Sequence, residues 1–251
     1  MKNRALFIAA SAMLVACGSS GGGGSPAPAP APAPSAAEGL WLGTTSNNRA
    51  ITGLVLDDGS FYFLYSVSGN ASLIAGVVQG SGTAQNGSFA SANARDFNIE
   101  GLGVLAATVS SSYNARQSLN GTVSYTAGGA ITFTSAFSTA YDAAPSLANL
   151  AGTFAGQVAF SGGVENANVT VSTSGALSGV GTSGCTVTGS VAPRARGNAF
   201  NVTITFGGAP CFFANQSLSG IAYFDSATKR LYSATPNAAR TDGILFVGVK
   251  P

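Results

Sequence analysis

The side chains that most often carry out catalysis are scarce in this chain. It contains no histidine, so serine–histidine and cysteine–histidine nucleophile pairs and histidine metal ligands are excluded. Its nine acidic residues are scattered, and the adjacent Asp57 and Asp58 lie in a predicted turn where their carboxylates diverge into water. Hydrolysis by paired carboxylates needs two such groups facing each other across a cleft, and no such pair is identifiable. The residue types therefore do not predict an enzyme.

One segment has the glycine spacing of a dinucleotide-binding loop. Gly179–Gly184 has the sequence Gly-Val-Gly-Thr-Ser-Gly, which matches G-x-G-x-x-G. That motif binds a pyrophosphate only where a strand leads into a helix. Residues 185–188 instead continue as a predicted strand, so we expect no cofactor.

The N-terminus resembles a bacterial lipoprotein signal peptide. Lys2 and Arg4 form a positive region, residues 5–13 form an apolar run too short to span a bilayer, and Leu14–Cys17 matches a lipobox. The resemblance implies removal of residues 1–16 and a lipid on Cys17 that anchors the chain in a membrane. An aspartate after the lipidated cysteine usually means retention in the inner membrane, so Gly18 implies the outer membrane. An ordinary secretory signal and a short membrane anchor are the alternatives.

Two further cysteines occur in the second half of the chain. With Cys17 lipidated, Cys185 and Cys211 form an even pair in an exported protein, which predicts a disulfide. Two free buried thiols are the alternative. A metal site is not expected, because two cysteines without any histidine supply too few ligands.

Composition limits the partners. The sequence has 11 basic and 9 acidic residues, and two of the basic residues lie in the predicted signal peptide, so the mature side chains are near neutral. Arg194 and Arg196 are too few for a basic patch, so we expect no nucleic-acid partner. The abundance of glycine and of β-branched residues favours short strands and tight turns.

The chain divides into a tether and two β domains. Residues 17–37 are rich in Gly and Ser and then alternate Pro with Ala, which predicts a disordered tether with a stiffer polyproline segment. We expect a first β domain over residues 38–142 and a second over 148–251. Asp57–Gly59 predicts a hairpin turn within the first.

The second domain repeats patterns of the first in the same order. Five segments match, which predicts that it arose by duplication. The matches are Gly39–Gly43 with Gly152–Gly156, Gly53–Gly59 with Val169–Gly175, Val78–Ser81 with Val187–Ser190, Phe97–Ile99 with Phe200–Val202, and Gln117–Gly121 with Gln216–Gly220. Each domain has seven or eight strand candidates joined by tight turns. We therefore expect an all-β protein with two similar antiparallel eight-stranded meander barrels, which close their own edges; a sandwich is the alternative.

This layout resembles Gram-negative surface lipoproteins of the transferrin-binding-protein and factor-H-binding-protein type. The shared features are a lipidated cysteine followed by Gly21–Gly24, a barrel opened by Gly152–Gly156, and the C-terminal Phe246–Lys250 segment. The resemblance covers the anchor and part of the second half, and it implies a two-barrel binding protein. The chain has far fewer Lys, Asp and Glu than such proteins usually carry, so no binding residue is transferred.

The sequence favours a non-enzymatic binding module, anchored in the outer membrane, for a protein or small apolar partner. The alternative is a periplasm-facing structural or assembly lipoprotein without a dedicated ligand. A transmembrane barrel is disfavoured by the lipobox and by the serine- and threonine-rich strands.

An aromatic strand supplies the one candidate contact surface. Within Ser60–Ser66, Phe61, Phe63 and Tyr65 point to one face, and Tyr62 and Leu64 to the other. One face enters the barrel, and the other is too apolar to leave bare. We expect Tyr62 and Leu64 to contact either the second domain or a separate partner.

Overall fold

The computed structural model describes residues 36–251. The predicted signal peptide, Cys17 and nearly all of the tether lie outside the described residues. Within the described range, no helix is both long enough and apolar enough to cross a membrane.

The first barrel is an antiparallel ring of eight strands with one short strand added. Its strands are β1 (Gly39–Thr45), β2 (Ala50–Val55), β3 (Ser60–Val67), β4 (Asn70–Ser81), β5 (Thr83–Gln85), β6 (Ser88–Asn98), β7 (Gly103–Asn114), β8 (Ser118–Tyr125) and β9 (Ala130–Ser138). β1 pairs with β9 and β4 pairs with β6, so the ring closes in the order β1-β2-β3-β4-β6-β7-β8-β9. The short β5 pairs with β6 and lies outside the ring.

The second barrel follows a 3-10 turn (Thr139–Asp142) and a one-turn helix, α1 (Leu147–Leu150). Its strands are β10 (Gly152–Phe160), β11 (Gly163–Val171), β12 (Ala176–Gly181), β13 (Thr186–Pro193), β14 (Phe200–Phe206), β15 (Ser217–Asp225), β16 (Arg230–Pro236) and β17 (Gly243–Val249). They pair in chain order, and β17 closes the ring on β10. The predicted pair of eight-stranded meander barrels is confirmed, and closure leaves the ring strands without free edges.

Each barrel has its own apolar interior, formed by alternate residues of its strands. In β3, the side chains of Phe61, Phe63 and Tyr65 belong to the interior of the first barrel. In β14, Phe200, Val202 and the other even-numbered residues up to 206 belong to that of the second. This period of two is the pattern that a strand with one face on a core must have.

The predicted turn at Asp57–Gly59 joins β2 to β3. Gly59 has a φ of +79°, which a residue without a Cβ adopts freely. Its N–H donates to Leu56 O at 3.0 Å, and a Cβ there would lie only 2.4 Å from Gly82 O. Glycine is therefore required both by the turn and by the close approach of the neighbouring chain.

The outward faces of the two barrels pack against each other. Two buried clusters contain residues of both barrels: Leu40, Leu54, Leu56, Tyr141, Ala199, Ile221 and Tyr223 in one, and Leu64, Val77, Phe97, Ala159, Ala234 and Leu245 in the other. Ion pairs border these clusters, with Arg194 at 2.5 Å from Asp57 and Arg196 at 3.2 Å from Glu38. Apolar side chains on the outside of each barrel are thus covered by the other barrel.

Four of the five repeated segments lie on strands with the same position in their rings. In the first match, Trp41 of β1 and Phe154 of β10 are both fully buried. A Cβ on Gly43 or on Gly156 would lie about as close to a backbone oxygen of the neighbouring strand, at 1.9 and 2.0 Å. The fifth match is different, because Gln117–Gly121 leads into the seventh ring strand and Gln216–Gly220 into the sixth. In the fourth match, Phe97 lies near the end of β6 and faces the second barrel, whereas Phe200 begins β14 and faces the interior of its own barrel. Duplication is our proposal for the first three matches, and the fourth and fifth do not support it.

Candidate ligand-binding site

The first barrel has an open cavity at one end, with a volume of about 300 Å³. This is the end at which β1 and β3 finish and β2 and β7 begin. Apolar and polar residues both line it. The apolar ones are Ile51, Phe63, Val78, Leu102, Leu105, Val123, Ala127, Ile131 and Phe133, and the polar ones are Thr45, Asn47, Arg49, Tyr65, Asp96, Asn98 and Tyr125. The chain enters the barrel at the opposite end, where Ala37 is buried and its carbonyl accepts a hydrogen bond from Trp41 Nε1 at 3.1 Å.

A buried carboxylate forms the centre of the polar groups. Asp96 is 2% exposed, and each of its carboxylate oxygens accepts a hydrogen bond from a tyrosine hydroxyl. Tyr65 Oη donates to Oδ1 at 2.7 Å, and Tyr125 Oη donates to Oδ2 at 2.8 Å. Asn98 Nδ2 donates to Tyr65 Oη at 3.2 Å. Asp96 is therefore held in one orientation by tyrosines of β3 and β8, which lie two strands away on either side of β6.

Burial controls the protonation of these groups. Loss of water raises the pKa of the Asp96 carboxyl, although the two tyrosine hydroxyls and the nearby Arg49 act in the opposite direction. Burial also raises the pKa values of Tyr65 and Tyr125, and the charge of Asp96 raises them further. Both tyrosines therefore stay protonated and donate hydrogen bonds to Asp96.

An ion pair borders the cavity. Arg49 Nη2 lies 2.7 Å from Glu100 Oε2, and Arg49 Nη1 donates to Ser66 O at 3.0 Å. The guanidinium also lies over the ring of Tyr65, with 5.4 Å between its carbon and the ring centroid. Arg49 is therefore already held by a carboxylate, a carbonyl and an aromatic face.

A β-bulge in β6 turns Asp96 into the barrel. Phe89 and Ser91 are buried on the inner side of β6, so strict alternation would put residues 95 and 97 inside as well. The register with β7 shifts after Ser91, because Ser91 pairs with Val109 but Ala94 pairs with Ala107. The extra residue reverses the alternation, as bulges do when they redirect a side chain. Asp96 then faces inward.

A longer loop narrows the corresponding end of the second barrel. The loop 207–216 between β14 and β15 is longer than residues 99–102, which join β6 to β7. Phe213 from this loop is buried in the barrel core, and Phe212 packs on Phe160 with ring centroids 5.1 Å apart. The interior below holds an apolar cavity of only about 80 Å³.

A disulfide fastens this loop. Cys211 in the loop is bonded to Cys185, next to the turn between β12 and β13, with 4.5 Å between their Cα atoms. The predicted disulfide is confirmed. The Gly179–Gly184 segment lies at the same place, where β12 turns into β13 and no helix follows.

A groove of about 410 Å³ lies between the barrels. It is lined by the exposed Leu73 and Val164 and by the charged Glu100 and Arg230. Unlike the cavity of the first barrel, it is lined, within the described part of the chain, by no buried polar group with several partners.

The residues predicted from the sequence as contacts lie elsewhere. Tyr62 and Leu64 face the second barrel, and Leu64 is 5% exposed within the cluster that contains Ala234 and Leu245. Cys17 lies outside the described residues. Among residues 36–251, no group of three or more His, Cys, Asp or Glu side chains could hold a metal ion.

Comparisons with known proteins give a distant likeness in structure alone. No protein-family model and no curated protein matches the chain. Among solved structures, it is similar to transferrin-binding protein B from serogroup B Neisseria meningitidis, with 9% identity and a TM-score of 0.31 over 80% of this chain and 66% of that one. It is likewise similar to a double mutant of transferrin-binding protein B from Haemophilus parasuis Hp5, with 9% identity and a TM-score of 0.30 over 87% of this chain and 78% of that one.

Proposed function

We propose that this chain is a non-enzymatic binding module, anchored in the outer membrane by a lipid on Cys17, and that its first barrel binds a small, largely apolar molecule. One observation carries the proposal: the cavity of about 300 Å³ combines an apolar wall with a few converging polar groups. Small-molecule sites have this composition, and the mouths of β-barrels are among their preferred places.

The volume limits the size of the ligand. An engineered apolar cavity of roughly 150 Å³ takes up benzene, so a cavity of about 300 Å³ accommodates about two rings, or one ring with a short chain. A peptide or a large macrocycle does not fit.

The direction of the opening suits an anchored protein. The cavity opens where β1 ends, whereas Ala37 and the preceding tether join the barrel where β1 begins. A lipid on Cys17 would therefore be connected to the end of the barrel opposite the cavity. Palmitate labelling that is lost in Cys17→Ala would support this anchor, and equal labelling of both proteins would refute it.

The polar groups suit binding better than catalysis. Within residues 36–251, Asp96 accepts hydrogen bonds from Tyr65 and Tyr125 and from no serine, threonine or cysteine. Without histidine in the sequence, these groups do not form a nucleophile with its base.

The experiment is an NMR titration with 2-phenylethanol, a neutral molecule of suitable size. We expect binding to wild type and at least a tenfold weaker affinity in Leu105→Trp, because Leu105 lines the cavity and the larger indole fills it. Leu42→Trp is the matched control, since Leu42 is 44% exposed on the outside of the same barrel. Absence of binding, or equal binding to wild type and Leu105→Trp, would refute the proposed site.

A further inference from the structure

We infer that the ligand of the first barrel carries a positively charged amine that binds at Asp96. This inference rests on the proposed function, and it adds the chemical class of the ligand. The observations that support it are the hydrogen-bond pattern at the base of the cavity, its charge and its aromatic wall.

The hydrogen bonds at the base engage both tyrosine hydroxyls and leave acceptor positions of Asp96 free. The hydroxyls of Tyr65 and Tyr125 both donate hydrogen bonds to Asp96, and Asn98 Nδ2 donates one to Tyr65 Oη. An ionised carboxylate offers about four acceptor positions, and only two of those of Asp96 are occupied. A ligand that reaches this point must therefore supply a donor.

The charge at the base is negative. Of the ionised side chains in and beside the cavity, Arg49 and Glu100 neutralise each other at 2.7 Å. Asp96 is 2% exposed and forms no ion pair within residues 36–251. A cation that reaches Asp96 is attracted more strongly there than in water, because the effective dielectric constant is lower. A carboxylate or phosphate would be repelled by the same group.

The wall suits an organic cation. The hydroxyls of Tyr65 and Tyr125 contact Asp96, and the rings of Phe63 and Phe133 also line the cavity. Aromatic faces attract ammonium groups, and this attraction grows when water is excluded. The apolar part of the ligand then packs against the rest of the wall. We therefore expect a small aromatic or aliphatic amine in preference to a neutral or acidic molecule of the same shape.

The experiment compares three probes with similar skeletons, phenethylamine, 2-phenylethanol and 3-phenylpropanoate, by NMR titration at pH 7.5. We expect wild type to bind the amine at least tenfold more tightly than the alcohol, and the carboxylate more weakly than either. In Asp96→Asn the preference for the amine should fall below threefold, with the alcohol affinity unchanged. Asp225→Asn is the matched control, because Asp225 is the last residue of β15 in the second barrel.

The outcomes separate the two proposals. Equal affinities of wild type for the amine and the alcohol would overturn the inference and leave the proposed site intact. Binding of none of the probes would overturn both. Retention of the amine preference in Asp96→Asn would also overturn the inference. If Asp96→Asn does not fold, wild type alone decides. Tighter binding of 3-phenylpropanoate than of phenethylamine to wild type would contradict a cationic ligand.

Discussion

Replacing Leu64 by alanine should weaken the packing between the barrels. Leu64 is 5% exposed on the outer face of β3, in the cluster that includes Ala234 and Leu245 of the second barrel. The change removes three buried carbons at about 0.8 kcal/mol each, and the cavity left behind adds to the cost. We expect the free energy of unfolding to fall by about 3–4 kcal/mol, within the range known for buried leucines.

The assay uses urea denaturation followed by two signals. Trp41 is the single tryptophan of the sequence and is fully buried in the first barrel, so its fluorescence reports that barrel. Far-UV circular dichroism reports both barrels. We expect the two transitions to coincide in wild type and to separate in Leu64→Ala, because weaker packing between the barrels lets them unfold independently.

A double-mutant cycle with Leu245→Ala tests whether the effect arises between the barrels. Residues of one cluster usually show an interaction energy of about 0.5–3 kcal/mol, so the double mutant should lose less stability than the two single mutants together. Leu42→Ala is the control, and its exposed side chain should cost less than about 0.5 kcal/mol. Additive effects of Leu64→Ala and Leu245→Ala would refute the assignment of this face to the contact between barrels.

Two further predictions concern the disulfide and the buried carboxylate. Replacing Cys185 and Cys211 by alanine should lower the free energy of unfolding by about 3–4 kcal/mol, because the bridge closes a loop with a sequence separation of 26; a loss below about 1 kcal/mol in urea denaturation would contradict this. Because burial raises the pKa of Asp96 above its unfolded value of about 3.9, its contribution to stability is complete below about pH 4 and is lost as the pH rises through the folded pKa. As the pH rises from 4 to 7, the free energy of unfolding should therefore fall less in Asp96→Asn than in wild type. Equal slopes of this free energy against pH would argue against a raised pKa.

The local features of the fold could be predicted because they depend on neighbouring residues. Alternation in Ser60–Ser66 identified β3 and its inward aromatic face, and Asp57–Gly59 identified the turn before it. Cys185 and Cys211 could be paired because they were the only two cysteines left after Cys17. Short antiparallel strands with tight turns then left few arrangements other than a closed meander.

The candidate site could not be predicted, since its residues come from distant parts of the chain. Arg49, Tyr65, Asp96 and Tyr125 lie on or next to four different strands and meet only when the ring closes. A lone carboxylate within a strand was the available signal for Asp96. That signal did not show which way the side chain points.

Composition, alternation and turn residues therefore determined the class of fold and its strand order, because each acts over a few residues along the chain. Tertiary structure decided which faces are buried and which end is open. The bulge after Ser91 turned Asp96 inward, and packing between the barrels covered Leu64. The loop 207–216 narrowed the end of one barrel, whereas the shorter connection at 99–102 left the larger cavity in the other. These outcomes depend on ring closure and on contacts between residues far apart in sequence, which no local pattern encodes.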